Sequence, residues 1–250
     1  MKKIDSRCLS MLIKDAKNIV FFGGAGVSTE SGIKDYRSKD GLYQNKFHGF
    51  TPEIILSDTF FNNNAALFFE YYKETFLTKK VRPNYTHYFL VYLEKIGKLK
   101  AVITQNIDNL HNEAGSKNII ELHGNITRNY TLKTRKLIKG TEVILNQNGV
   151  PYYQGEIIKP DVVLYGEQLN LITLKNAINQ IKNADLLIVG GTSLRVFPAS
   201  GLITYFNGPY LVGINKESID VPLFIEGSIS QTFKEVAKIL NYNVEENDEY

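Results

Sequence analysis

The run Ile19-Val20-Phe21-Phe22 followed by Gly23-Gly24-Ala25-Gly26 constrains this chain more than any other stretch. Four apolar residues, rich in β-branched and aromatic side chains, read as a strand buried on both faces. Glycines directly after such a strand give a tight turn that exposes backbone N–H groups beside a helix start, an arrangement suited to a pyrophosphate. Gly24 and Gly26 permit the turn and a close approach of phosphate. Arg37, eleven residues after Gly26, adds a fixed positive charge with a forked donor. A glycine-rich βα turn that binds nothing has the same local pattern, so a lone G-x-G is a weak signal.

The pattern recurs along the chain. Leu99–Thr104, Asn118–Leu122, Val162–Tyr165, Leu186–Gly190 and Tyr210–Ile214 read as further buried strands. Helices are expected from an Asp5-Ser6 cap to about Lys17, from Pro52, from Asn84 to Ile96, over Leu171–Lys182 and over Phe233–Leu240. Strands alternating with helices predict an α/β fold with a doubly wound, Rossmann-like parallel sheet. Residues 38–83, rich in Phe and Tyr, and residues 125–159, with short β-like runs such as Glu142–Leu145, break the alternation. They are expected to form a smaller inserted module, with residues 5–37, 84–124 and 160–241 forming the Rossmann-like part of a single domain over 1–250. Phe60, Phe61, Phe68, Phe69, Tyr71, Tyr72 and Phe76 read as the module's core.

With 250 residues and 43% hydrophobic content, the chain can bury a core without disulfides. A net charge of +3 gives no argument for nucleic acid or a membrane surface as partner. One cysteine, Cys8, can make neither an internal disulfide nor a cysteine-based zinc site. No signal-peptide pattern follows Met1-Lys2-Lys3, and no apolar run approaches membrane-span length, so the expected compartment is the cytoplasm.

Three polar segments follow the expected strands. Gln105, Asn106 and Asp108 come directly after Leu99–Thr104, where ligands bind in open α/β sheets. A carboxamide and a carboxylate there can hold a carboxamide ligand or a ribose, and a plain polar loop with a capping Asp fits equally well. His123 ends the next strand, and its imidazole can act as a base near neutral pH. A lone histidine more often has a structural role; convergence with the two loops reverses that reading. Gly191, Thr192 and Ser193 form a second glycine-containing turn, and Asn215 ends the last strand, both where the other half of a dinucleotide would lie. The acidic residue usual about 20 residues after a simple dinucleotide fingerprint is absent, so this is no ordinary dehydrogenase.

Taken together, G-A-G-V-S-T-E-S-G-I at 24–33, D-Y-R-S at 35–38, R-P-N at 82–84 with His87, T-Q-N-I-D at 104–108, L-H-G at 122–124, K-P-D-V-V-L-Y-G-E at 159–167 and G-T-S-L at 191–194 with Pro198-Ala199 resemble the sirtuins, NAD-dependent protein lysine deacylases. The resemblance covers about residues 5–240. It implies that Ala25, Gly26, Thr29 and Arg37 line the NAD phosphate and ribose site, with Tyr36 beside the nicotinamide. Ile107 and Asp108 would receive the nicotinamide carboxamide, and Gln105 and Asn106 the adjoining ribose and a water. Thr192, Ser193, Asn215 and Ile229 would hold the adenosine half. Val163, Tyr165 and Gly166 would pair with an acylated protein or peptide as an added strand. Asn106 and His123 are the implied catalytic residues, His123 removing a proton from the ribose hydroxyls.

The chain departs from the family in the small module. Most sirtuins hold a structural zinc there with four cysteines. Thr131 and Thr134 replace the first pair, and the second falls on Tyr152 or Tyr153 and Gln154. Such side chains are poor zinc ligands, so no zinc is expected. Apolar packing by Tyr130, Leu132, Leu137, Ile144, Tyr152 and Tyr153 is expected to substitute. Lys34 replaces the usual Pro before Asp35, which should loosen the loop there. The Tyr-x-x-Arg pair of succinyl-preferring sirtuins has no counterpart in 68–74, which favours an uncharged acyl group. His48, His87 and His111 show no metal-ligand grouping and read as structural. The same NAD site is also compatible with mono-ADP-ribosyl transfer, NAD glycohydrolysis or a non-catalytic NAD-binding module. Oligomeric state is not legible.

Overall fold

The computed structural model describes residues 1–35, 41–78, 80–138, 144–145 and 149–246. Its largest element is a seven-stranded sheet, parallel throughout. The strands are β1 (Lys2–Lys3), β2 (Ile19–Gly23), β3 (Leu99–Thr104), β4 (Ile119–Glu121) and, after the five strands of a second sheet, β10 (Leu186–Gly190), β11 (Tyr210–Asn215) and β12 (Leu223–Glu226). Their spatial order is β1-β12-β11-β10-β2-β3-β4.

Period-2 alternation explains why β2 and β10 lie at the centre. Ile19 and Phe21 face one core, with Leu186 and Ile188 beside them. Val20 and Phe22 face the other, with Leu187 and Val189. All ten residues of these two strands are buried, as a strand sandwiched between two helical layers requires. The first layer contains α1 (Ser6–Asp15), α5 (Tyr85–Lys95) and α8 (Ile229–Leu240); the second contains α7 (Leu171–Lys182) and a 3₁₀ stretch over Ala199–Tyr205.

The caps are local and legible. Asp5 accepts from Cys8 N at 2.9 Å and starts α1. Asn84 accepts from Thr86 N, while its own N–H donates to His87 Nδ1 at 3.1 Å, a reciprocal cap at the start of α5. Asn84 Nδ2 also donates to Val27 O at 2.8 Å and to Ser31 Oγ at 2.9 Å, tying this helix start to the glycine loop.

The second sheet has the order β6-β5-β9-β8-β7 and is antiparallel. It comprises β5 (Gly124–Thr131), β6 (Leu137–Ile138), β7 (Ile144–Leu145), β8 (Pro151–Tyr153) and β9 (Glu156–Val162). Beside it stand α2 (Pro52–Ile55), α3 (Asp58–Asn63) and α4 (Ala65–Tyr72), whose Phe60, Phe61, Phe68, Tyr71 and Tyr72 form one core with Val162 and Leu164. The aromatic run is therefore core, as its composition predicts.

Three expectations need correction. Val162–Tyr165 is not a strand of the parallel sheet: β9 ends at Val162, and Leu164–Glu167 form a tight turn closed by Glu167 N to Leu164 O at 3.0 Å, with Gly166 at φ +93°. The helix expected over Phe233–Leu240 starts at Ile229, where Ser228 accepts from Gln231 N. In the small module, Leu137 is 47% exposed and packs little. Hydrogen bonds hold the neighbouring turn instead. Thr131 and Thr134 share one between their hydroxyls at 2.7 Å, and Glu156 accepts from the N–H groups of Lys133 and Thr134 at 3.1 and 3.0 Å. The Ile144 side chain lies outside the described residues. No helix among the described residues is long and apolar enough to cross a membrane.

α6 (Leu110–Ala114) buries His111 against His87, with ring centroids 4.7 Å apart. Neither His111 nitrogen has a hydrogen-bond partner among the described residues. Burial pushes the His111 pKa down to about 4 and holds that of His87 well below the usual value. Between pH ~6.5 and ~4 the unfolded chain therefore takes up protons that the folded protein refuses, and stability falls as pH falls. For His111 alone the loss at pH 5 is about 2 kcal/mol. Urea unfolding at pH 7 and pH 5 should show it, and His111→Leu should flatten the dependence; an unchanged midpoint in the parent protein would refute the account.

Candidate active site

Between β10 and β2 the direction of winding reverses: the chain continues from β2 to β3 and β4 on one side, and from β10 to β11 and β12 on the other. Loops diverging from such a point open a crevice at the carboxyl ends of the strands. Here it is a cleft of about 510 Å³.

Its floor is two glycine turns in backbone contact. Gly24 N donates to Gly190 O at 3.1 Å and Gly26 N to Gly191 O at 2.8 Å. A Cβ on Gly26 would lie 2.7 Å from Gly191 Cα, and one on Gly191, at φ +62°, would lie 2.4 Å from Val27 N. The glycines are thus required first for the approach of one turn to the other. Ala25 and Ser193 line the cleft, and their N–H groups donate to no acceptor among the described residues. Bare donors on a backbone surface suit an anion.

The loop after β3 forms one wall. Gln105 N donates to Gly23 O at 3.0 Å, and Gln105 Nε2 to Thr192 Oγ1 at 3.1 Å, so this side chain spans both turns. Asn106 Nδ2 donates to Ser28 Oγ at 3.0 Å, and Ser28 Oγ donates to Asp108 Oδ2 at 2.6 Å. Asp108 also accepts from Leu110 N, capping α6, and burial raises its pKa against these hydrogen bonds. Ile107, beside it, lines the cleft. The Asp108 carboxylate acts on Ser28 and, through it, on Asn106.

His123 follows β4. Its Nδ1 stands 2.8 Å from Gln105 O. A carbonyl can only accept, so Nδ1 carries the proton and Nε2 is left with a lone pair. Burial lowers the pKa, which keeps the ring neutral at neutral pH. The next residue, Gly124, has φ +80°, and a Cβ there would meet Asp161 O at 1.9 Å, so β5 and β9 close together only because no side chain intervenes.

Val163, Tyr165 and Gly166 form the facing wall. Tyr165 N donates to Leu56 O at 2.9 Å and Tyr165 O accepts from Asp58 N at 3.0 Å. Its backbone is therefore in use, and Tyr165 offers a ligand its ring, while its hydroxyl meets that of Tyr43. Gly24, Thr29, Gly191, Thr192, Asn215 and Ile229 also line the cleft, as expected from the sequence. Tyr36 and Arg37 lie outside the described residues. The wall residues that were not anticipated include Arg195, Phe197, Glu217 and Ser228. They sit on loops without periodicity; only their closeness to Ser193, Asn215 and Ile229 in sequence could have flagged them.

Comparison with known proteins gives the same picture. The model of the Sir2 family matches residues 24–198. An NAD-dependent protein deacetylase of Clostridium tetani is 53% identical over 213 residues, 84% of this chain and 86% of that protein. One from Clostridium acetobutylicum is 48% identical over 235 residues, 91% and 96% of the two chains. Among solved structures, a Sir2 with a p53 peptide and NAD+ superposes with a TM-score of 0.84 at 33% identity, covering 96% of this chain and 100% of the other. A Sir2 bound to acetylated peptide gives 0.80 at 29% identity, with the same coverage. The chain belongs to the Sir2 family.

Proposed function

We propose that the protein is an NAD-dependent protein lysine deacylase that moves an uncharged acyl group from lysine to ADP-ribose. The observation that carries this reading is His123, its Nδ1 held 2.8 Å from Gln105 O, lining the same cleft as Ala25, Ser193, Val163 and Gly166.

The residues present fit NAD. Ala25, Gly26 and Thr29 would take the phosphates, Gln105, Asn106 and Ile107 the nicotinamide riboside, and Thr192, Ser193, Asn215 and Ile229 the adenosine. Bound there, NAD would supply a ribose whose bond to nicotinamide breaks under attack by the acyl-lysine carbonyl oxygen, and a hydroxyl that finally carries the acyl group. With one water consumed, the products are lysine, nicotinamide and O-acyl-ADP-ribose. The Gln105 carbonyl holds the His123 ring in the tautomer that can accept a proton at Nε2. Asp108, through Ser28, fixes the carboxamide of Asn106. The apolar side chains of Leu56, Phe76 and Ile107 keep water from the neighbouring wall.

Incubation with NAD and an acetyl-lysine peptide, followed by mass spectrometry, tests the reading. Nicotinamide and O-acetyl-ADP-ribose should form in equal amounts and only with peptide. Free or protein-linked ADP-ribose instead would replace it with glycohydrolase or transferase activity. His123→Ala should lower kcat by about 10²–10⁴-fold with NAD affinity retained. Because burial lowers the His123 pKa, the base stays neutral into mild acid, and the acid limb of kcat/KM should centre below the ordinary imidazole value of about 6.5. A limb above it would contradict the assignment.

The same reading includes a small module without zinc. Thr131, Thr134 and Glu156, bonded to one another and to the turn's N–H groups, support it, since they close that turn with protein groups alone. EDTA should leave the melting temperature unchanged. One zinc per chain by elemental analysis would overturn this part.

A further inference from the structure

Lys159, near the middle of β9, is 5% exposed. A buried ammonium persists only where partners compensate its lost hydration. Its Nζ donates to Val162 O at 2.7 Å and to Glu167 Oε2 at 3.0 Å. The same carboxylate oxygen accepts from Leu164 N at 2.8 Å. The ion pair therefore closes a loop around the turn at Leu164–Glu167. The other backbone groups there are also committed: Val163 N donates to His123 O at 2.9 Å, and Tyr165 is bonded at both ends to Leu56 and Asp58. Within 163–166, the groups left without a partner among the described residues are Val163 C=O, Gly166 N–H and Gly166 C=O. Both residues line the cleft.

We propose that Lys159 and Glu167 are positioning residues for the peptide substrate: their ion pair holds the turn so that these three backbone groups are presented to an extended acyl-lysine segment. This rests on the deacylase reading. Exposed ion pairs contribute little, but this one has a buried member, and its loss leaves either an unpaired ammonium or an unheld turn. Recognition by main-chain groups selects for an extended, locally unstructured segment rather than for particular neighbouring side chains. Val163 shares the arrangement with the catalytic side of the cleft through its bond to His123.

The test compares Lys159→Met, which keeps the apolar stem, Glu167→Gln, which keeps an acceptor for Leu164 N, and Lys159→Arg, which keeps the charge. Acetyl-lysine peptide and NAD affinities are measured by calorimetry, alongside KM, kcat and the melting temperature. Peptide Kd and KM should rise about 10-fold or more in the Met and Gln variants, NAD affinity should stay within about 2-fold, and Arg should restore most of the peptide affinity. Unchanged peptide affinity in folded variants overturns the proposal, as does a parallel loss for NAD and peptide, which marks a general structural defect. Should Lys159→Met fail to fold, Glu167→Gln decides alone. If the wild type binds peptide without releasing nicotinamide, the deacylase reading falls while the peptide affinities still decide the positioning role; if it binds no peptide at all, both fall.

Discussion

Backbone contact between two glycine turns is the constraint on which this molecule is built. Gly24 and Gly26 meet Gly190 and Gly191 across the centre of the sheet, at separations that leave no room for a methyl group. That contact exists because β2 and β10 are hydrogen-bonded neighbours in register, from Leu186 beside Ile19 to Gly190 beside Gly23. Everything that matters in the cleft is referred to it. Gln105 spans both turns, His123 is oriented by the carbonyl of Gln105, and Val163 is bonded to the carbonyl of His123. A chain of direct contacts thus runs from the floor to the facing wall.

Burial acts in the same sense on two groups in and beside the cleft, favouring the uncharged form of each. For His123, burial favours the uncharged ring and serves proton abstraction. For Asp108, burial favours the protonated acid while hydrogen bonds from Ser28 and Leu110 oppose it. Lys159 takes a different course, keeping its partners so close that burial is tolerated. For His123 and Asp108 burial outweighs the hydrogen bonds that oppose it.

Features with a short-range cause were legible in the sequence. The strands at Leu99–Thr104 and Leu186–Gly190, the caps at Asp5 and Asn84 and the glycine turn each depend on residues within a few positions. Val162–Tyr165 was misleading because an apolar run looks the same in a strand and in a turn, and here the arbiter is Glu167 bonding back to Leu164 and Lys159. The first turn of α8 escaped notice because Ser230 and Thr232 are polar yet buried, Ser230 against Thr86 from a distant helix. The motifs led to most of the residues that line the cleft, because each lies directly after a strand of the parallel sheet or in a loop beside it. The hydrogen-bonded closure at Thr131 has no sequence pattern of its own.

Asn84 caps a helix, its carboxamide oxygen accepting from Thr86 N and its backbone N–H donating to His87 Nδ1, and its Nδ2 grips Val27 and Ser31 behind the glycine loop. One carboxamide thereby joins the rigidity of a helix to the shape of a ligand floor it does not touch. A mutational survey scored by turnover alone would therefore count Asn84 among the reacting groups, whereas a survey scored by heat resistance would count it among the scaffold, and both would be reading the same four hydrogen bonds.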